Sequence, residues 1–254
     1  MMPKPRSAAS LFLTSLLLFA SAGCKDAPGK PKFTAETQRP DQVIDFPTLY
    51  QQNCSACHGA NGSKGAAISL SNPVYLATAG EAAIQNATTN GIPGTLMPAF
   101  AIGKGGMLTD QQIAILARGM VEVWGRPSQL QGQAFPTYAS STTGDATAGH
   151  IAYTSFCSRC HGVDGAGIAA KISAQHSTEA TGSIIDPAYL ALVSDQSLRS
   201  TIIAGKPEDH MPDWRSDASG PNALAMTDQQ ITDTVTWLAS HRIATPGQPY
   251  REHP

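Results

Sequence analysis

The chain has 254 residues, a formal net charge of -2 and a charged fraction of 14%. This length allows one or two domains, and the charge excludes the basic surface that nucleic acid or an anionic membrane face attracts. Aromatic residues make up only 6% of the chain, which is few for the cores of domains of this size.

The N-terminus has the pattern of a secretory signal. A positively charged start precedes a short apolar run, Leu11 to Ala20, which is too short to span a bilayer comfortably. The small residues before Cys24 resemble a bacterial lipobox, which implies removal of residues 1–23 and lipidation of Cys24. We therefore expect an exported protein, lipid-anchored on the periplasmic side of a bacterial membrane. The alternative is an ordinary signal peptide cut near Ala22, which leaves Cys24 as a free thiol.

Shifts in composition divide the rest of the chain. Residues 24–45 are polar and contain several prolines, which is typical of a flexible, partly extended tether. Residues 127–145 are rich in Gly, Pro, Ser, Thr and Gln, which indicates a linker. The segments on either side of this linker are predicted to be domain 1 (residues 46–126) and domain 2 (residues 146–245), followed by a tail at 246–254.

Each predicted domain begins with a Cys-x-x-Cys-His string, at residues 54–58 and 157–161. Two thiols about one helical turn apart can each add to a vinyl group of one porphyrin, and the adjacent imidazole can bind its iron. A thiol redox pair or half of a zinc site would explain one string, but two complete copies favour haem. The predicted attachment residues for two haem c groups are Cys54, Cys57, His58, Cys157, Cys160 and His161.

The two strings belong to a tandem repeat that also predicts the helices. Asn72 and Asp186 each precede a proline and are expected to cap a helix. Thr109 and Thr227 each begin a capping box that opens the last helix of a domain. Two glycines, Gly91 and Gly205, are placed to end the helices that come before the Met-Pro loops. The second copy is longer, with an inserted loop at residues 173–183, and we find no convincing strand pattern.

Both halves resemble class I cytochrome c domains, because the helix with its haem string, the Gly-rich loop, the Met-Pro loop and the last helix recur in that order. The resemblance implies an all-α fold of two tandem domains. Two departures stand out. Ala66 and Ala169 lie near the place where the family often has a proline whose carbonyl orients the haem histidine. Phe46 replaces the glycine that the family favours where the first and last helices cross, whereas Gly149 fits in domain 2, so we expect the two crossings to differ.

The resemblance also implies a methionine as the sixth ligand of each iron. Met97 and Met211 precede prolines in the loops between the middle and last helices, and proline stiffens such a loop. His210 adjoins Met211 and is the alternative ligand in domain 2. Met107 is a weaker competitor in domain 1, and Met120 has the helical spacing of a core residue.

Two closed haems on one tethered chain imply an electron carrier without catalytic activity of its own. The expected partners are redox proteins or a membrane electron-transfer complex, of which the chain would be a respiratory or photosynthetic subunit. The alternatives are a di-haem peroxidase, which needs a sixth position that opens and acid–base groups above the iron, and a cytochrome subunit of a dehydrogenase.

Overall fold

Two sets of helices repeat along the chain, one for each haem string. The computed structural model describes residues 38–130, 132–169, 171–172, 177–178, 180–215 and 225–243. The predicted signal peptide, Cys24, the tether as far as residue 37 and the tail at 246–254 lie outside these residues. None of the helices in the described ranges combines the length and the apolar character needed to cross a membrane.

The helices of domain 1 are α1 (Phe46–Asn53), α2 (Ser55–His58), α3 (Pro73–Asn90) and α4 (Asp110–Trp124). The helices of domain 2 are α5 (Ala146–Phe156), α6 (Ser158–His161), α7 (Pro187–Leu192), α8 (Asp195–Ala204) and α9 (Asp228–Ala239). Short 3-10 helices lie at Pro40–Gln42, Ile102–Lys104, Pro127–Leu130 and Pro207–Asp209. The all-α prediction is confirmed. In the described residues the only paired strands are β1 (Lys171–Ile172) and β2 (Ser177–Thr178), a short antiparallel pair at the predicted inserted loop.

The helix boundaries follow the capping signals in the sequence. Asn72 Oδ1 accepts hydrogen bonds from two backbone N–H groups at the start of α3, and Asp186 Oδ1 does the same at the start of α7. The capping boxes that begin at Thr109 and Thr227 are both formed. Glycines with positive φ end α3 and α8, at Gly91 and Gly205. These predictions are confirmed.

The middle helix bends in both domains by different means. In α3 the bend lies at Gly80, whose φ of 66° and ψ of 171° interrupt the helix. Domain 2 instead ends α7 before the extended Val193 and starts α8 with Ser194 as its N-cap. Only glycine adopts the backbone angles of Gly80 without strain, so the two domains interrupt this helical segment with unrelated local sequences.

A glycine lets the first and last helices approach in each domain, but the two glycines lie on opposite helices. In domain 2 the glycine is Gly149 of α5, where a Cβ atom would lie 2.0 Å from the carbonyl oxygen of Asp233 in α9. In domain 1 it is Gly119 of α4, where a Cβ atom would lie 2.3 Å from the ring of Phe46. The expected difference between the crossings is therefore confirmed, because the bulky Phe46 requires the space on the partner helix.

The predicted linker is held against domain 2. Arg199 of α8 is 2% exposed, and its guanidinium group donates to the carbonyl oxygens of Thr137 at 2.9 Å and Tyr138 at 3.2 Å. The same group pairs with Asp228, whose Oδ1 accepts from the backbone N–H of Thr137 at 2.9 Å. The described residues from Asp41 onward belong to one compact unit.

Candidate haem-binding site

The first haem string folds as a single helical turn that follows α1. The backbone N–H of Cys54 still bonds to Tyr50 O, and the N–H of His58 bonds to Cys54 O at 3.0 Å, so α2 continues almost directly from α1. Residues three apart in a helix lie on one face, which brings Cys54 and Cys57 to the same side. Cys54 and His58 are buried, whereas Cys57 is exposed.

His58 is oriented by a backbone carbonyl. Its Nδ1 lies 2.8 Å from Ile68 O, and because a carbonyl only accepts, Nδ1 carries the hydrogen. The other ring nitrogen, Nε2, is then the one with a lone pair for a metal. Burial lowers the pKa of His58, which favours the neutral ring that a metal needs. The orienting carbonyl belongs to Ile68, two residues beyond the Ala66 position considered in the sequence.

His161 in the second string lacks this partner. Its Nδ1 is buried, and among the described residues no group accepts a hydrogen bond from it. The chain after this string pairs with the inserted loop instead, since Ile168 and Thr181 exchange two backbone hydrogen bonds of 3.0 Å. Burial also lowers the pKa of His161. The two strings are alike in sequence, but only the first histidine is oriented by a carbonyl in the described chain.

A tyrosine closes the turn at each string. Tyr50 Oη donates to Gly59 O at 2.7 Å, and Tyr153 Oη donates to Gly162 O at 2.5 Å. Each accepting glycine directly follows the haem histidine, so the bond holds the start of the Gly-rich loop. Burial raises the pKa of both hydroxyls to about 12, which keeps them as donors. The sequence showed that these tyrosines recur before both strings, but it did not reveal this role.

The four described cysteines are free thiols, as covalent attachment of a haem requires. Burial, followed by the neighbouring thiol, raises the pKa of Cys54 to about 12 and that of Cys157 to about 11. Both of these thiols are therefore neutral at neutral pH. Free paired thiols beside a histidine whose pKa is lowered by burial fit the donor set of haem c.

The predicted methionine ligands lie in loops that pack closely against the glycine at the end of the preceding helix, Gly91 in domain 1 and Gly205 in domain 2. In domain 1, Ile92 N donates to Met97 O at 3.1 Å. In domain 2, Met211 and Lys206 exchange two backbone hydrogen bonds of 2.9 and 3.0 Å. A Cβ atom on Gly91 or Gly205 would come within 2.8 or 2.6 Å of the methionine carbonyl oxygen, so both loops fold tightly against the end of the middle helix.

The competing residues have distinct surroundings. His210 is exposed and has a left-handed backbone with φ of 58°. Met107 is 74% exposed, whereas Met120 is 2% exposed and belongs to the core, as its helical spacing predicts. Met97 and Met211 are half-buried. The assignment of the methionine ligands, and of His210 as an alternative, stays a prediction.

The structure brings two predicted site residues of domain 2 and the alternative ligand to one cavity. Cys160, Met211 and His210 line a space of about 510 Å³, which is also lined by Asn72 and Val74 from domain 1. In domain 1, the loop after α3 supplies Met97 and α2 supplies His58, so the two predicted ligands come from separate segments.

Comparisons with known proteins find a different family for each half. The family described as cytochrome C oxidase, cbb3-type, subunit III matches residues 41–118, and the family described as cytochrome c matches residues 146–242. The search of curated proteins finds no match. A solved structure from the Kuenenia stuttgartiensis reducing HAO-like protein complex is 15% identical, with a TM-score of 0.44. The alignment covers 78% of this chain and 96% of that chain.

Proposed function

We propose, from the premise that the chain carries two cytochrome c domains in tandem, that it is a membrane-anchored di-haem electron carrier. Domains of this family imply electron transfer and covalently bound haem c. The observation that carries the proposal is that each family match encloses one Cys-x-x-Cys-His string and one of the two predicted methionine ligands. Residues 41–118 include the string at 54–58 and Met97, and residues 146–242 include the string at 157–161 and Met211.

A bound haem c supplies an iron that takes up and releases one electron between the ferric and ferrous states. The chain's own residues determine whether the iron only transfers electrons or also reacts with small molecules. The cysteines fix the group covalently, the histidines supply one ligand each, and Ile68 O fixes the ring of His58. Met97 and Met211 would close the remaining position, which favours electron transfer over reactions with small molecules.

A carrier explains the site better than a peroxidase does. Peroxidase chemistry requires a position that opens and a positioned acid–base pair beside it. Met97 and Met211 instead lie in loops fixed by backbone hydrogen bonds and by close packing against a glycine. His210 lines the same cavity as Met211, but it is exposed, whereas a peroxidase needs its acid–base group held in position above the iron.

A role as a subunit of a membrane electron-transfer complex is supported by the match of domain 1 to a family named for an oxidase subunit. Leu96, which directly precedes the predicted ligand of that domain, is 81% exposed. An exposed apolar side chain beside a redox centre suits the small, transient interfaces that redox proteins use. The partners we propose are therefore redox proteins that meet domain 1 around Leu96.

The membrane anchor is proposed from the sequence of the N-terminus. Lipidation of Cys24 would hold the protein on the periplasmic side of a bacterial membrane. Replacing Cys24 with Ser should move the protein from the membrane fraction to the soluble fraction. Retention of Cys24→Ser on the membrane would refute lipid anchoring.

Haem content and reactivity test the carrier directly. The purified chain should contain two haems. The double variant Cys54→Ser with Cys57→Ser should lose one of them, and the double variant Cys157→Ser with Cys160→Ser should lose the other. The intact protein should be reduced and reoxidised by redox partners while reacting slowly with cyanide and peroxide. Rapid reaction of the resting protein with either reagent would favour the peroxidase. Purification from membranes in mild detergent should show which complex accompanies it.

A further inference from the structure

One position of the tandem repeat differs in a way that its local role does not explain. Asn72 and Asp186 occupy matching places and cap α3 and α7 through a side-chain oxygen. Asp186 needs only to accept for this task. Asn72 has an amide group as well, and its Nδ2 donates to Ala204 O at 2.9 Å and lies 3.5 Å from Gly205 O. Asn72 is 5% exposed, so this bond is buried.

The accepting carbonyls lie at a sensitive point of domain 2. Ala204 is the last residue of α8, and the carbonyls of a final helical turn have no partner within the helix. Gly205, with φ of 65°, turns the chain directly into the loop where Lys206 and Met211 exchange backbone hydrogen bonds. A group that holds the end of α8 therefore also holds the start of the Met211 loop.

The same contact borders the cavity that contains the second predicted ligand set. Asn72 and Val74 of domain 1 line it together with Cys160, Ala204 and Met211 of domain 2. Domain 1 thus supplies part of the wall of a space whose other walls include a predicted haem-attachment cysteine and a predicted axial ligand.

We infer that domain 1 completes the second haem site, with Asn72 as a positioning residue for the Met211 loop. The inference rests on the proposed function, because it assumes that Met211 binds the second iron. Asn72 acts through the carbonyls of Ala204 and Gly205 and does not touch the iron ligand itself. This donor role would explain why the repeat has asparagine at the cap of α3 and aspartate at the cap of α7.

The variant Asn72→Asp separates the two roles of the side chain. A carboxylate still caps α3, but it cannot donate, and its charge would face carbonyl oxygens at the negative end of α8. The matched control is Asp186→Asn, which changes the same atoms at a cap whose side chain, among the described residues, bonds only to its own helix. The contact between the hydroxyls of Tyr75 and Tyr138 remains in both variants, so a link between α3 and the linker persists.

The readout is the near-infrared band of methionine bound to ferric iron. In a Met97→Ala background this band reports Met211 alone, and in a Met211→Ala background it reports Met97 alone. We expect Asn72→Asp to remove most of the band in the Met97→Ala background and to leave it intact in the Met211→Ala background. The haem is covalently attached, so the haem content should not fall with the band.

Three results would overturn the inference, and they have different meanings. An unchanged Met211 band in Asn72→Asp would show that the contact does not position the loop. An equal loss in Asp186→Asn would show a general effect of altered caps. If Met211→Ala removes no band from the wild-type protein, the ligand assignment is wrong and the inference fails with it. Should Asn72→Asp not fold, Asn72→Ser keeps the cap without the amide, and the same loss of the Met211 band is expected.

Discussion

The two domains share a tyrosine contact and the fold of the methionine loop, and they differ at three other places. Both use a tyrosine hydroxyl to hold the glycine after the histidine, and both fold the methionine loop against a glycine. They differ at the helix crossing, at the histidine Nδ1 and at the cap of the middle helix. The shared contacts hold the chain around each predicted haem site, and among the differences the cap at Asn72 also joins domain 1 to domain 2.

The largest expected difference in stability between matched variants of the two domains lies at Arg199, which has no arginine counterpart in domain 1. Its counterpart, counted back from the glycine that ends each helix, is the half-buried Gln85. Replacing Arg199 with Ala should lower the free energy of unfolding by about 3 kcal/mol, because it removes one partner of a mostly buried ion pair. It also leaves the carbonyls of Thr137 and Tyr138 without their donor. Urea unfolding of the haem-loaded protein measures this loss.

Gln85→Ala is the matched control for Arg199→Ala. It should change the free energy of unfolding by well under about 3 kcal/mol, because it removes a half-buried side chain and no buried ion pair. Equal losses in the two variants would show that the hold on the linker is not specific to domain 2.

The helix crossings should respond unequally to one added methyl group. Gly149→Ala should lower the free energy of unfolding by about 3 kcal/mol, because the new Cβ atom meets the backbone carbonyl of Asp233. Gly119→Ala should cost about 1 kcal/mol, because the new Cβ meets a side chain, the ring of Phe46, which can move. Thermal unfolding followed by circular dichroism gives both values.

The crossing in domain 1 also predicts a rescue. Combining Gly119→Ala with Phe46→Leu should recover part of the loss, since the smaller side chain frees the space. If Phe46→Leu adds a further loss instead, the two residues do not share that space, and the comparison of the crossings is wrong.

The smallest predicted effect is the one that should be the same in both domains. Tyr50→Phe and Tyr153→Phe should each cost about 1 kcal/mol, because each leaves a glycine carbonyl without its hydrogen bond. Unfolding of the single variants, with the double variant as a test of additivity, provides the measurement. A clear effect in only one domain would mean that the second bond does not stabilise its loop.

Local rules were enough to predict where α3, α4, α7 and α9 begin and where α3 and α8 end, but not the interruption at Gly80 or the start of α8 at Ser194. Caps at Asn72 and Thr227, and the glycine at 205, depend on groups within a few residues, so the sequence shows both partners at once. The difference between the helix crossings was predicted from Phe46. The sequence did not show that Gly119, on the opposite helix, provides the space for that ring. The recurring tyrosines were a usable signal whose partner carbonyls the sequence does not display.

Contacts between distant segments could not be predicted in this way. Arg199 looks like any polar residue of a helix, and its partners lie in the linker and in the last helix. Ile68 was not foreseen as the orienting residue because a backbone carbonyl carries no side-chain signature. The second role of Asn72 is visible only once α3 and the end of α8 are seen together.

The central claim is that each domain closes its own iron with its own methionine. The near-infrared methionine band of ferric Met97→Ala and Met211→Ala tests it most directly. Each variant should lose part of the wild-type band, the double variant should lose all of it, and each single variant should bind cyanide rapidly at one haem only. A band that survives intact in either single variant would contradict the claim for that domain, and survival in Met211→Ala would leave His210 as the ligand to examine next.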